Sequence, residues 1–124
     1  MRGKLMLAAG LMFGMVLIGC QSHHEEGVKS DYHTQWTMVA ADTQTTTEAA
    51  KSVLMDEGLR DVQTRSTNVD GVAEGKKADG TRIKVAIERQ KDSGSQVSVT
   101  VGTIGDPTLG ADLAKRIKMR AERR

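Results

Sequence analysis

The sequence predicts a single small α+β domain: a mainly antiparallel sheet of four to five strands with two helices packed on one face, in the order β-α-β-β-β-β-α. Three observations carry this reading. Apolar and polar residues alternate with period two through most of the second half of the chain. The alternating runs are joined by short Gly- and Asp-containing turns, and strands joined at hairpin length must run antiparallel. Two stretches switch to the helical period instead, and two amphipathic helices can cover only one face of such a sheet.

The domain is expected over residues 31–124. Tyr32–Ala40 alternates loosely, with Tyr32, Trp36 and Met38 on one face, and reads as the first strand. Thr45 followed three residues on by Glu48 matches a capping box, so the first helix is expected over Thr46–Glu57. Ala50, Val53 and Leu54 fall on its buried face. Gly58 is placed for the left-handed turn that ends a helix, and Leu59 to fold back onto the last turn.

From Asp61 the period becomes two. Val62–Asn68 is a weak, polar run suited to a sheet edge, and Val72–Lys77 is a second strand. Ala78-Asp79-Gly80 closes a hairpin into Thr81–Gln90, where Ile83, Val85 and Ile87 point inward and Arg82, Lys84 and Glu88 outward. Lys91–Gly94 turns the chain again. Gln96–Gly102 then places Val97, Val99 and Val101 inward, with Gln96, Ser98 and Thr100 on a wet face. Asp106-Pro107 opens the last helix as N-cap and first helical residue, and Leu109, Leu113 and Ile117 form its apolar stripe.

The N-terminal region has a different logic. Arg2 and Lys4 precede a charge-free, apolar-rich run of fourteen residues, Leu5–Ile18, which ends in Leu17-Ile18-Gly19-Cys20. The run is short for a bilayer span of about 20 residues and suits a secretory signal. The ending resembles the lipobox of bacterial lipoproteins. That resemblance implies a signal over residues 1–19, cleavage between Gly19 and Cys20, diacylglycerol on the Cys20 thiol and an acylated new amine. Residues 20–30 are then the lipidated cysteine and a flexible tether, since Gln21–Ser30 is polar and charged. In a diderm host, Gln21 in place of an aspartate points to the outer membrane, facing the periplasm.

Cleavage would also alter the composition. Removing Arg2 and Lys4 from 18 basic residues leaves as many basic as acidic, of which there are 16, so no attraction to nucleic acid follows from net charge. The only Phe (Phe13) and four of the seven Met leave with the signal. With Cys20 acylated no disulfide is available, and Trp36 and Tyr32 are the only aromatics left to the mature domain.

No catalytic constellation is visible, and the chain is not expected to be an enzyme or to carry a cofactor. His23, His24, Glu25 and Glu26 lie in the tether, which does not fix the three or four ligands a metal needs, and His33 reads as a strand-surface residue. No serine sits in a Gly-x-Ser-x-Gly elbow, and Glu48, Glu74 and Glu88 read as solvated surface. Gly102 and Gly105 in Val101–Pro107 sit between a strand and a helix, where phosphate can bind, but Asp106 occupies the N-cap and opposes an anion, so a structural turn is expected. The one charge asymmetry is C-terminal. Lys115, Arg116, Lys118, Arg120, Arg123 and Arg124 either complement the negative end of the helix or contact an anionic surface, and the helix-completing role is the expected one.

Several motifs together resemble a family of small uncharacterised bacterial lipoproteins known only as a domain of unknown function. They are the Cys20 signal, the helix ending Asp56-Glu57-Gly58-Leu59, Ala78-Asp79-Gly80-Thr81, and Val99–Asp106 before the closing helix, and the likeness spans about Gln35 to Met119. The resemblance implies an extracytoplasmic, lipid-anchored α+β domain with no catalytic residue to carry over. A weaker likeness of element order alone links it to helix-grip domains of outer-membrane assembly lipoproteins. The expected partners are therefore the membrane, through the lipid anchor, and an envelope protein. The competing expectation is a small-ligand binder or weak enzyme with a cavity between sheet and helices.

Overall fold

The structure, a computed structural model, describes residues 27–31 and 33–123. In chain order it forms β1 (Lys29–Ser30), β2 (Thr34–Val39), α1 (Thr43–Asp56), β3 (Arg60–Ser66), β4 (Asp70–Lys76), β5 (Arg82–Arg89), β6 (Ser95–Val101) and α2 (Pro107–Glu122). The strands make one sheet in the spatial order β1-β2-β6-β5-β4-β3, and every neighbouring pair is antiparallel. β3 to β6 are a hairpin-linked meander, and β6 then pairs with β2, the strand that precedes α1 in the chain. Both helices pack on the same face, as expected for this class.

The sheet has six strands, one more than expected. Lys29 and Ser30 pair with Trp36 and Gln35 along the edge of β2, although this stretch reads as tether. Two contacts hold it there. The Thr37 hydroxyl donates to the Gly27 carbonyl at 2.7 Å, and the Val28 side chain is buried in the core.

α1 starts three residues before the expected position, and its cap is Asp42, not Thr45. The Asp42 carboxylate accepts the Thr45 N–H at 2.7 Å, so Thr45 is itself inside the first turn. The extra turn buries Thr43, Thr46 and Thr47 against the sheet. At the other end the reading holds. Gly58 is left-handed (φ 87°), its N–H donates to Met55 O at 3.0 Å, and Leu59 N–H reaches back to Leu54 O at 3.2 Å. These are the two paired bonds of a Schellman ending, which satisfy carbonyls that the helix would leave open.

The core lies between the sheet and the two helices. Ile83, Val85 and Ile87 of β5 and Val97, Val99 and Val101 of β6 are at most 4% exposed, and they share the core with Val53, Leu54, Leu113 and Ile117. Each such burial contributes about 1.5–3 kcal/mol before the entropy of ordering is subtracted. β4 presents Gly71, Ala73 and Gly75 to the helices, and its smallness lets α1 approach. A Cβ at position 71 would collide with the Thr47 hydroxyl, and one at 75 would crowd Leu59 and Val62 at 3.1–3.2 Å. β3 is an edge strand, as expected. A bulge between Arg60 and Gln63, with Asp61 left-handed (φ 56°), interrupts its pairing, which discourages edge-to-edge association.

Trp36 and Met38 of β2 share a face, as expected, and it is the face the helices leave uncovered. Gln35, Thr37 and Val39 turn into the domain instead. With neither Trp36 nor Met38 buried, no aromatic side chain belongs to the described core, which is built from aliphatic residues and alanine.

Candidate functional site

Two loops meet at one end of the sheet. The first joins β4 to β5. Lys77 O accepts the Gly80 N–H at 2.9 Å, Gly80 is left-handed (φ 91°), and Lys77 N–H donates to Thr81 O at 2.8 Å. This is a three-residue hairpin with glycine in the position that demands positive φ. The Asp79 carboxylate accepts the Thr81 N–H at 2.9 Å, and that bond, with the Thr81 hydroxyl, holds the Asp79 carboxyl below the ordinary aspartate range. The second loop joins β6 to α2. Gly102 (φ 64°) donates its N–H to Arg82 O at 2.7 Å and lies so close to Thr81 that a Cβ there would sit 3.2 Å from the threonine methyl. The Asp106 carboxylate accepts the Leu109 N–H at 3.1 Å, and Pro107 follows as the first helical residue, as expected.

Between these loops lies a groove of about 800 Å³. The turn contributes Lys77 and Thr81, the exposed face of β5 contributes Arg82 and Lys84, and β6 and its loop contribute Thr100 and Gly102 to Asp106. Ile104 stands at the rim, 73% exposed. The sequence singled out Ala78–Thr81 and Val99–Asp106 as separate motifs. Only the fold brings them together.

The basic C-terminal residues have a different setting. Arg116 bridges Glu57 at 2.8 Å and Asp112 at 3.0 Å, and Glu57 before Asp112 raises its pKa above the usual arginine value. Lys118 holds Met38 O at 2.7 Å and Glu122 at 2.9 Å, while Arg120 pairs with Asp56 at 3.1 Å. These pairs stitch α2 to the end of α1 and to β2. Arg123 follows the helix as an exposed residue, and Lys115 is exposed on α2. Arg124 lies outside the described residues, as do Gly19, Cys20, Tyr32 and the stretch His23 to Glu26. His33 sits in the turn before β2, where Asp31 accepts its N–H at 2.9 Å, so it is not a strand residue. Among the described residues no three His, Cys, Asp or Glu side chains come together to hold a metal, and no helix is long and apolar enough to cross a membrane.

The matched region covers nearly all of this fold. The chain belongs to the family described as Protein of unknown function (DUF3568). The match covers residues 28–120, from the first buried residue ahead of β1 to the last turns of α2. No curated protein matches the chain. Both groove-forming loops and both helix-capping aspartates, Asp42 and Asp106, therefore lie within the DUF3568 region.

Proposed function

We propose that this DUF3568 chain is a lipid-anchored, non-enzymatic module of the bacterial envelope that binds a protein partner there, in a diderm host at the periplasmic face of the outer membrane. The observation that carries the reading is the uncovered sheet face. The helix-covered side is filled by aliphatic side chains down to zero exposure, so the space between sheet and helices is core rather than cavity. On the opposite side a cross-strand row runs through Trp36, Ser98, Ala86 and Val72, with Met38 beside it at 48% exposure. A tryptophan and a methionine next to small residues on an open sheet suit burial by a partner, because interface centres favour aromatics and methionine.

The anchor agrees with this arrangement. The lipobox places the lipid on Cys20, seven residues before Gly27, a reach of at most about 25 Å at full extension. Two or three acyl chains are needed for durable anchoring, and the lipoprotein signal implies them. The module would then act within a short distance of its membrane.

The test is site-specific photocrosslinking in the native envelope. A photoreactive residue replacing Ala86 should give a covalent adduct of one discrete mass, while the same residue replacing Glu48, exposed on α1, should not. Equal adducts from both positions, or none from Ala86, would reject the partner-binding face.

A further inference from the structure

We infer that the groove between the 77–81 turn and the 102–106 loop binds a phosphate ester. Three cations line it, Lys77, Arg82 and Lys84, and none of them forms an ion pair within bridging distance among the described residues. The contrast with α2 is informative: there Arg116, Lys118 and Arg120 are each held by a carboxylate. Only one acid lines the groove, Asp106, and its carboxylate is engaged by the Leu109 N–H. Nearby, Asp79 is turned onto Thr81 with Lys77 within electrostatic reach, Glu74 lies opposite Lys84 on the neighbouring strand, and Asp61 and Glu74 share a second hollow with Arg82. These acids reduce the positive field but do not line the groove.

Lining cations outnumber lining carboxylates three to one, which favours an anion of more than one charge, as a phosphate monoester is. Arg82 offers the planar fork that grips two phosphate oxygens, and the lysines offer point charges. Thr103 adds an exposed hydroxyl, and Ile104 an apolar lip for the organic part of the ester. The volume is that of a small-molecule site. Placement sets the direction of approach. β1 runs antiparallel to β2 and Gly27 lies beside Thr37, so the chain enters the fold toward the Val39 end, whereas the groove is at the Thr34–Thr100 end. The groove thus opens away from the point where the tether joins. This inference does not depend on lipidation or on the partner face.

The experiment uses the full chain, ¹⁵N-labelled, in neutral detergent. Glycerol 3-phosphate should shift the amides of Gly80, Gly102, Thr103 and Gly105 saturably, with the effect weakening as salt rises. Lys77→Gln, Arg82→Gln and Lys84→Gln together should weaken binding at least about tenfold while the melting temperature stays close to that of the parent. Lys51→Gln, on α1, should leave binding unchanged. A bilayer arm separates the sources of phosphate. The N-terminal anchor would carry the chain to any bilayer, so this arm reads the same four amides: shifts in phosphatidylglycerol but not phosphatidylcholine bicelles, lost in the triple variant, assign a lipid headgroup, and glycerol 3-phosphate shifts without them assign a soluble ester. Shifts spread over all surface cations, binding unaffected by the triple variant, or no saturable shift with either phosphate probe, whether or not a poly-glutamate peptide binds, would overturn the proposal.

Discussion

Gly110, in the first turn of α2, lies directly against the carboxamide oxygen of Gln35 on β2, where a Cβ would overlap it. The Gln35 side chain is fully buried. Its Nε2 donates to Ser30 Oγ at 3.0 Å and to Asp31 O at 3.1 Å, but Oε1 has no hydrogen-bond partner among the described residues. The oxygen is left facing the Cα–H of Gly110, a weak donor. This contact sets how closely α2 sits on β2.

Gly110→Ala should therefore destabilise the domain, against the helix preference for alanine of about 0.5–1 kcal/mol. Overpacking typically costs about 1–3 kcal/mol, so the net loss should be of order 1 kcal/mol in urea unfolding. In a Gln35→Ala background the same change should cost less, or stabilise. A Gly110→Ala protein more stable than its parent would mean that the two residues do not touch.

On β5 the two faces differ sharply. Val85 is fully buried, so Val85→Asp should unfold the domain, since an unpaired buried carboxylate costs several kcal/mol against a total of about 5–15. Lys84→Asp, one residue away on the open face, places an acid opposite Glu74 and should cost no more than about 1 kcal/mol. Circular dichroism melts ranked the other way would mean the strand register is off by one.

The β5–β6 turn stores strain that can be removed. Asp92 and Ser93 both have positive φ, 65° and 64°. A left-handed conformation costs an L-residue roughly 1–2 kcal/mol, and aspartate tolerates it better than serine. Ser93→Gly should raise the unfolding free energy by about 0.5–1 kcal/mol, and by more than Asp92→Gly. A drop in thermal midpoint would refute this.

Glu122 makes stability depend on acid pH. Partial burial pushes its carboxyl up, but the Ala40 N–H at 2.8 Å and Lys118 outweigh that and hold it below its ordinary value of 4.5. A carboxyl lowered on folding stabilises above its unfolded pKa, and the stabilisation is lost as pH falls through the folded one. The protein should therefore lose stability as pH drops below 4.5, and Glu122→Gln should flatten part of that slope while lowering stability at neutral pH. Parallel pH profiles for the two proteins would remove Glu122 from the account.

Anchoring has its own test. Cys20→Ser replaces the thiolate nucleophile by a hydroxyl, so acyl label should disappear and the precursor should stay uncut. Labelled, detergent-phase Cys20→Ser protein would rule out the lipoprotein reading.

Much of the fold was legible in the residues themselves. Val97/Val99/Val101 and Ile83/Val85/Ile87 point inward because side chains alternate across any strand, and Gly58, Gly80 and Asp106-Pro107 mark their turns and cap by local backbone chemistry. Long-range pairing decided the rest. The alternation in β2 puts Trp36 and Met38 on one face, and pairing with β6 in the register Trp36–Ser98 decides that this face is the open one, with Gln35 inside. Lys29 and Ser30 read as tether because only the edge of β2 makes them a strand. The groove was likewise invisible, since Lys77, Arg82, Lys84 and Ile104 are scattered surface residues until the Gly102 N–H joins Arg82 O and brings their loops together. Periodicity and turn chemistry act over a few residues and can be read along the chain, whereas register, helix approach and loop contact depend on partners dozens of residues away.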